Sequence, residues 1–107
     1  MGEVKREYHN GILVAEWFEI NGKYEGEFKI YQDNGYNGYV YEISNYVNGI
    51  QQGEYKMYYE NGQLCEIGNY VNGKCEGEFK KYHENGQLIR ITNYHNGFPV
   101  YKSQKNK

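Results

Sequence analysis

The sequence predicts an all-β protein: a single-layer antiparallel β-meander of about eight strands, built from four hairpin repeats of 24 residues. Three observations predict this fold. Asn-Gly pairs recur about every 11 to 13 residues, Gly-Glu pairs recur with the same 24-residue period, and the segments between them alternate aromatic, charged and apolar residues. No segment shows the 3.6-residue spacing that is typical of a helix.

The Asn-Gly pairs predict the turns. Both central residues of a type I′ hairpin turn need a positive φ, which glycine adopts freely and asparagine tolerates. The sequence therefore predicts a two-residue turn at each of the eight pairs. These pairs are Asn10-Gly11, Asn21-Gly22, Asn34-Gly35, Asn48-Gly49, Asn61-Gly62, Asn72-Gly73, Asn85-Gly86 and Asn96-Gly97.

The Gly-Glu pairs set the repeat boundaries. One three-residue insertion, placed most simply at Tyr36-Asn37-Gly38, interrupts the 24-residue period. We expect one repeat domain over residues 1–101, with copies at about 2–25, 26–52, 53–76 and 77–98, and a short basic, solvated tail at 102–107. The pairs are Gly2-Glu3, Gly26-Glu27, Gly53-Glu54 and Gly77-Glu78.

Two-residue turns also predict which residues oppose each other on neighbouring strands. The expected pairs are Tyr59 with Leu64, Met57 with Glu66, Tyr55 with Gly68, Gly68 with Gly77, Glu66 with Phe79, Cys75 with Tyr70, and Cys65 with Lys80. This register places large aromatic rings over Gly68 and Gly77, where the missing side chains leave room.

The same register divides the side chains between two faces. The aromatic face is expected to hold Tyr55, Met57, Tyr59, Leu64, Tyr70 and Phe79. The polar face is expected to hold Glu54, Lys56, Tyr58, Ile67, Glu78, Lys80 and Tyr82. Ile67 is out of place there, because it shares a repeat position with Ile43 and Ile91. A bulge in the second strand of the hairpin and partial burial on both faces both account for it, and the choice stays open.

The repeating aromatic residues have two interpretations. They stabilise the sheet as cross-strand ladders, and part of the tyrosine-rich surface is a candidate partner site, because tyrosine is enriched at protein interfaces. The interpretations hold together if different rows serve different purposes. The candidate interaction surface consists of Trp17, Phe28, Tyr31, Tyr55, Tyr58, Tyr59, Tyr70, Phe79 and Tyr82.

Composition narrows the class of partner and compartment. The net charge of −2 argues against nucleic acid, and it disfavours binding to anionic lipid without excluding it. No signal peptide and no membrane-length apolar run is visible, and the two cysteines are predicted to lie too far apart for a disulfide. We therefore expect reduced thiols, a cytoplasmic location, and a monomer or weak homodimer with two open sheet edges.

The sequence predicts neither a catalytic site nor a metal or cofactor site. His9, His83 and His95 fall in or near turns, and none is spaced from the cysteines as in a zinc site. Glu27, Glu54 and Glu78 each precede a lysine by two positions, which indicates a ladder of salt bridges and not catalytic acids. We predict that the protein is not an enzyme.

The sequence from Asn72 to Phe79, followed by Tyr82 to Leu88, resembles a MORN repeat. The same pattern appears from Asn21 to Phe28, and the resemblance covers roughly residues 2–98. More closely, the chain resembles the variant form found in bacterial YwqK-type proteins, which are described as antitoxins. The resemblance implies a non-catalytic scaffold that binds a protein partner through a sheet face or edge. The alternatives are an antitoxin that neutralises a cognate toxin by direct binding and, third, a module that associates with phospholipid surfaces.

Overall fold

The computed structural model describes residues 2–33 and 38–101, which form a single antiparallel sheet with no helix and so confirm the predicted all-β meander. The sheet has 11 strands. They are β1 (Gly2–His9), β2 (Ile12–Ile20), β3 (Lys23–Asp33), β4 (Gly38–Val47), β5 (Ile50–Gln51), β6 (Gly53–Tyr58), β7 (Leu64–Val71), β8 (Lys74–Cys75), β9 (Gly77–Tyr82), β10 (Leu88–His95) and β11 (Phe98–Val100).

The strand count exceeds the predicted eight for two reasons. Strands β5 and β6 are parts of one run that is interrupted at Gln52, and β8 and β9 are parts of another that is interrupted at Glu76. The short strand β11 is added after the eighth long run. The spatial order of the long runs follows their order in the chain, so every neighbouring pair is an antiparallel hairpin. The turn at Asn34-Gly35, the insertion residues 36–37 and the tail 102–107 lie outside the described residues.

The Asn-Gly pairs form two kinds of turn. Five asparagines have positive φ together with their glycines, which is the two-residue type I′ geometry: Asn10, Asn21, Asn48, Asn72 and Asn96. Asn61 and Asn85 do not, and their glycines alone have positive φ. At Asn61 the N–H of Gly62 donates to the carbonyl of Tyr59 at 3.0 Å, and the N–H of Tyr59 donates to the carbonyl of Gln63 at 2.9 Å. These two bonds define a three-residue loop that ends in a glycine bulge.

The longer loops change the predicted register next to the turn. Leu64 opposes Tyr58 and not Tyr59, so the prediction that Leu64 lies on the aromatic face is wrong. A second bulge at Cys65 then restores the register, and Met57 opposes Glu66 and Tyr55 opposes Gly68 as predicted. Each copy has such a bulge in its second strand. The extra residues are Val14, Tyr41, Cys65 and Ile89.

The Gly-Glu pairs mark a further irregularity. Gly26, Gly53 and Gly77 have positive φ, and the strand that carries each of them gains two residues over its neighbour at that point. The predicted pairing of Gly68 with Gly77 is therefore wrong, as are those of Glu66 with Phe79 and of Cys65 with Lys80. The observed partner of Glu66 is Lys81, and that of Ile67 is Lys80. A shift of two residues leaves every side chain on its predicted face.

Ile67 lies on the polar face between two lysines. It opposes Lys56 on one side and Lys80 on the other, and it is half-buried. The bulge at Cys65 precedes it and does not move it to the aromatic face. The aliphatic stems of the two lysines therefore account for its partial burial.

The first hairpin is offset from the others by one residue. Its two-residue turn at Asn10-Gly11, combined with the bulge at Val14, places Lys5 opposite Trp17, whereas the equivalent Lys29 opposes Ile43. A one-residue offset turns every side chain of β1 to the other face. Glu3 and Lys5 therefore lie on the aromatic face.

Turns along one long edge of the sheet bond to the copy before them. The glycine N–H of each turn donates to a carbonyl in the strand that leaves the preceding turn: Gly49 to Tyr24 at 2.9 Å, Gly73 to Gln51 at 2.8 Å and Gly97 to Cys75 at 3.0 Å. The adjacent asparagine N–H donates to a side chain: Asn48 to Glu25 at 2.9 Å, Asn72 to Gln52 at 2.7 Å and Asn96 to Glu76 at 2.9 Å. These bonds fix the spacing of the copies in addition to the strand ladders.

Little of the sheet is buried. Within the described residues, the buried ones are Ala15, Ser44, Cys65, Gly68 and Phe79. The Cα atoms span 57 × 35 × 15 Å. The shortest of these dimensions is the thickness of one twisted sheet. The chain therefore has no second layer over either face in the described ranges.

Candidate interaction surfaces

The aromatic rings of one face gather in two clusters. The first is Trp17, Tyr24, Phe28 and Tyr46, in which Trp17 and Phe28 stack with centroids 5.0 Å apart and an interplanar angle of 8°. The second is Tyr55, Tyr70, Phe79 and Tyr94, with centroid distances of 5.0 to 6.2 Å. Small residues beside the rings explain the packing, since Ser44 opposes Phe28, and Gly68 opposes Tyr55 and leaves room for the Phe79 ring.

The second cluster is desolvated enough to raise the pKa of two of its tyrosines. Burial, followed by the carboxylates of Glu42 and Glu66, raises the pKa of Tyr55 above its usual range. Burial and a hydrogen bond with the Cys75 side chain likewise raise the pKa of Tyr70. Both phenols are therefore neutral at physiological pH and act as hydrogen-bonding, amphipathic surface.

The predicted surface residues divide between the faces. Trp17, Phe28, Tyr55, Tyr70 and Phe79 belong to the aromatic clusters. The row Tyr31, Tyr58 and Tyr82 lies on the opposite face, each residue two positions after the lysine of a Glu–Lys pair. Tyr59 lies apart from both rows. Its hydroxyl donates to the carbonyl of Tyr82 at 2.7 Å, and a hydrogen bond with Cys65 raises its pKa.

The sequence prediction missed three members of the clusters: Tyr24, Tyr46 and Tyr94. A signal was present for two of them, because Tyr46, Tyr70 and Tyr94 are spaced by 24 residues. Tyr24 has no aromatic equivalent in the next two copies, where Gln51 and Cys75 stand, so the repeat pattern gave no indication of it.

Two segments match a family model described as MORN repeat variant, at residues 51–72 and 76–96. Residues 51–72 and 76–96 are therefore similar to variant MORN repeats. The matched segments correspond to the hairpins that carry the second aromatic cluster. Searches of curated proteins and of solved structures return no significant match.

The polar face of the sheet carries a ladder of charges. Glutamate and lysine pair within a strand, two residues apart: Glu27 with Lys29 at 3.8 Å, Glu54 with Lys56 at 3.3 Å and Glu78 with Lys80 at 3.9 Å. Such exposed pairs contribute about 0 to 1 kcal/mol each. The equivalent pair of the first copy, Glu3 with Lys5 at 3.6 Å, lies on the aromatic face because of the offset of β1.

Shallow depressions lie on the polar side of the sheet. One of about 310 Å³ is lined by Tyr39, Val40, Ile43, Tyr58 and Gly62. Ile43 opposes Lys56, so this depression brings an isoleucine and the tyrosine row together beside a Glu–Lys pair. Its chemistry suits an apolar side chain of a partner flanked by hydrogen-bonding groups.

No metal-binding cluster forms among residues 2–33 and 38–101. In those ranges no three His, Cys, Asp or Glu side chains gather as they do around a metal ion. Cys65 and Cys75 are free thiols. Over the same ranges, the structure contains no helix of the length and apolarity needed to cross a bilayer.

Proposed function

We propose that this chain is a non-catalytic protein–protein interaction module, a MORN-repeat scaffold that binds a protein partner through a face or an edge of its sheet. One observation carries the proposal: a sheet with 18% aromatic residues in its sequence leaves both faces open, and only five described residues are buried. Aromatic surface that is half-buried and rigidly positioned is typical of protein interfaces.

The variant MORN repeats support the same proposal, because repeat arrays present extended surfaces whose chemistry recurs at a fixed spacing. Here the recurring elements are the tyrosine row Tyr31, Tyr58 and Tyr82, and the Glu–Lys pairs beside it. A flat surface with periodic charges and rings fits another protein better than a small molecule, which is usually bound in a concave pocket.

The proposal is tested with purified chain as bait and two folded variants that change one face each. The polar-face variant carries Tyr31→Thr, Tyr58→Thr and Tyr82→Thr, and the aromatic-face variant carries Tyr70→Thr and Tyr94→Thr. Threonine keeps the preference for a strand while removing the ring. Proteins retained by the native chain are purified and their affinities for each variant are measured by titration calorimetry, after thermal melts confirm folding.

We expect saturable binding of a retained protein to the native chain, weakened about tenfold or more by one variant and little by the other. Absence of saturable binding by any retained protein would contradict the proposal. Equal affinity of the partner for the native chain, both face variants and the edge variant described below would also contradict it, because no part of the sheet would then be the binding surface.

A further inference from the structure

The outer edge of β10 differs from the other open edge of the sheet. Strand β11 pairs with Asn93, Tyr94 and His95 only, so among the described residues nothing pairs with Leu88–Thr92 on that side. This edge exposes Leu88, Ile89 and Ile91, with exposed fractions of 50%, 39% and 44%. The opposite edge, β1, carries Glu3, Lys5, Arg6 and Glu7, and charged residues discourage strand addition.

Inner copies show what this edge is built to accept. In β7, Glu66 opposes Lys81 and Ile67 opposes Lys80, and the Phe79 ring lies against Gly68. The corresponding residues of β10, 24 positions later, are Arg90, Ile91 and Thr92. An antiparallel strand continuing this register would therefore place one residue opposite Arg90, the preceding residue opposite Ile91 and a third opposite Thr92.

Arg90 sets the charge of the partner residue. Reading outward from β7, Glu66 opposes Lys81, and Lys81 in turn opposes Arg90, so two cations are neighbours with a carboxylate on one side only. Like charges on adjacent strands are unfavourable, and an acidic residue on the outer side of Arg90 would relieve them. Within the described residues Arg90 makes no ion pair.

The aromatic face sets the residue opposite Thr92. Thr92 occupies the repeat position of Ser44 and Gly68, and the Phe79 ring of the next strand lies over Gly68. Tyr94 already contacts Phe79 at 5.0 Å on its inner side, as Tyr70 contacts Tyr55 and Phe79 at 5.8 Å on its two sides. A ring opposite Thr92 would extend the second cluster by one member. The partner residue between the ones opposite Thr92 and Arg90 would lie beside the exposed Ile91, which favours an apolar side chain there.

We infer that the edge at Leu88–Thr92 binds an extended segment of a partner protein as an added antiparallel strand, with the order aromatic, apolar, acidic from its N-terminus. The inference rests on the proposed function and names the partner's chemistry at one place on the sheet. Strand addition of this kind takes affinity from backbone hydrogen bonds and specificity from alternate side chains.

A second copy of this chain satisfies the edge less well. With Glu7 of its β1 opposite Arg90, Lys5 would stand opposite Thr92 where a ring is needed. Val100 stands where Glu25, Gln52 and Glu76 accept the N–H of a following turn, so the last copy offers no side-chain acceptor to another copy of the array. Self-association is therefore an outcome of the test and not the proposal.

The probe is the capped tetrapeptide Phe-Val-Glu-Tyr, which follows Phe79–Tyr82 with Val and Glu in place of Lys80 and Lys81 and begins opposite Thr92, where β11 no longer pairs. Its matched control has lysine instead of the glutamate. Each peptide is titrated into the ¹⁵N-labelled full chain and amide shifts are followed by NMR. We expect shifts centred on Leu88–Tyr94 and roughly threefold or greater preference for the acidic peptide. Arg90→Glu should reverse the preference, whereas Lys23→Glu, the same charge change at the distant and exposed start of β3, should leave it unaltered.

Amide shifts centred on β1 or on the middle strands of the sheet would overturn the inference. Equal affinity for the two peptides would also overturn it. Binding that survives Ile91→Pro would also overturn it, since proline removes the N–H that an added strand needs. A dimer that forms through β10 and excludes the peptide would show that the occupant is a second copy. A face variant could lose affinity for the protein partner in calorimetry while Arg90→Glu keeps it. In that case the edge inference fails and the proposed function stands.

Discussion

At the residue scale, Gly68 sets how closely the aromatic face packs. A Cβ added there would collide with the Phe79 ring, which is 7% exposed and lies among Tyr55, Tyr70 and Tyr94. The glycine is needed for space and not for backbone conformation, because its φ is not in the positive range. The sequence prediction of a ring over Gly68 is therefore confirmed, whereas the predicted ring over Gly77 is wrong, because nothing lies within 4 Å of a Cβ added at Gly77.

Gly68→Ala should destabilise the protein by about 1 to 3 kcal/mol, the range for overpacking a packed site. The cause is the Phe79 ring, so the same substitution in a Phe79→Leu background should have a smaller effect. Urea unfolding of the two single variants and the double variant measures the coupling. Strictly additive effects would show that the ring does not lie against this glycine.

Gly73→Val tests the turn geometry directly. Gly73 has φ +83° in a two-residue turn, and a β-branched residue is strained there, so we expect destabilisation by more than about 1 kcal/mol. Lys74→Val introduces the same side chain at the adjacent exposed strand position and serves as the control. Equal melting temperatures for the two variants would count against the type I′ turn at Asn72-Gly73.

At the element scale, the bond that joins the last two copies, from the N–H of Asn96 to Glu76, is titratable. The N–H of Asn96, and then the side chain of His95, lower the pKa of Glu76 from its ordinary value of 4.5. Because the pKa is lower in the folded state, this stabilisation is present above the ordinary value and is lost as the pH falls through the folded value. Gln52 occupies the same repeat position in the preceding copy, where a neutral amide accepts the bond from Asn72.

Glu76→Gln should therefore reduce stability near neutral pH and should have less effect in acid. The measurement is the free energy of unfolding of native and variant chains at pH 7 and at about pH 3, with Glu60→Gln in an exposed loop as the control. The same pH dependence for both variants would show that the Asn96–Glu76 bond does not contribute to joining the last two copies.

The turns show how far the sequence determines the elements. Asn-Gly predicted a reversal at every described pair, but the dipeptide alone does not distinguish a two-residue turn from a three-residue loop. At Asn61 the side-chain oxygen accepts the N–H of Gln63 at 2.9 Å, and this bond keeps the asparagine out of positive φ. The register error next to that turn follows from this difference. The recurrence of Gly77 marks the place where its strand has extra residues. It does not show that there are two of them.

At the scale of the whole molecule, the faces were predictable and the binding surface was not. The registers altered by Gly53 and Gly77 shift by two residues, so the alternation of side chains preserved the predicted aromatic and polar faces. There are two exceptions: Leu64 precedes the bulge at Cys65 and lies on the other face, and one residue fewer in the turn region of the first copy reverses β1. The surface available to a partner depends on which aromatic rings remain accessible. Their accessibility depends in turn on the side chains of neighbouring strands. Tyr46 and Tyr94 joined the clusters only through such neighbours.

The central claim is that this chain is an open single-layer sheet whose two faces are free to bind. Small-angle X-ray scattering of the monomer fraction eluting from a sizing column tests it most directly. The structure predicts a radius of gyration near the Cα value of 16.4 Å and a flat, elongated distance distribution. A value of about 13 Å, which is expected for a compact domain of this length, would contradict the account.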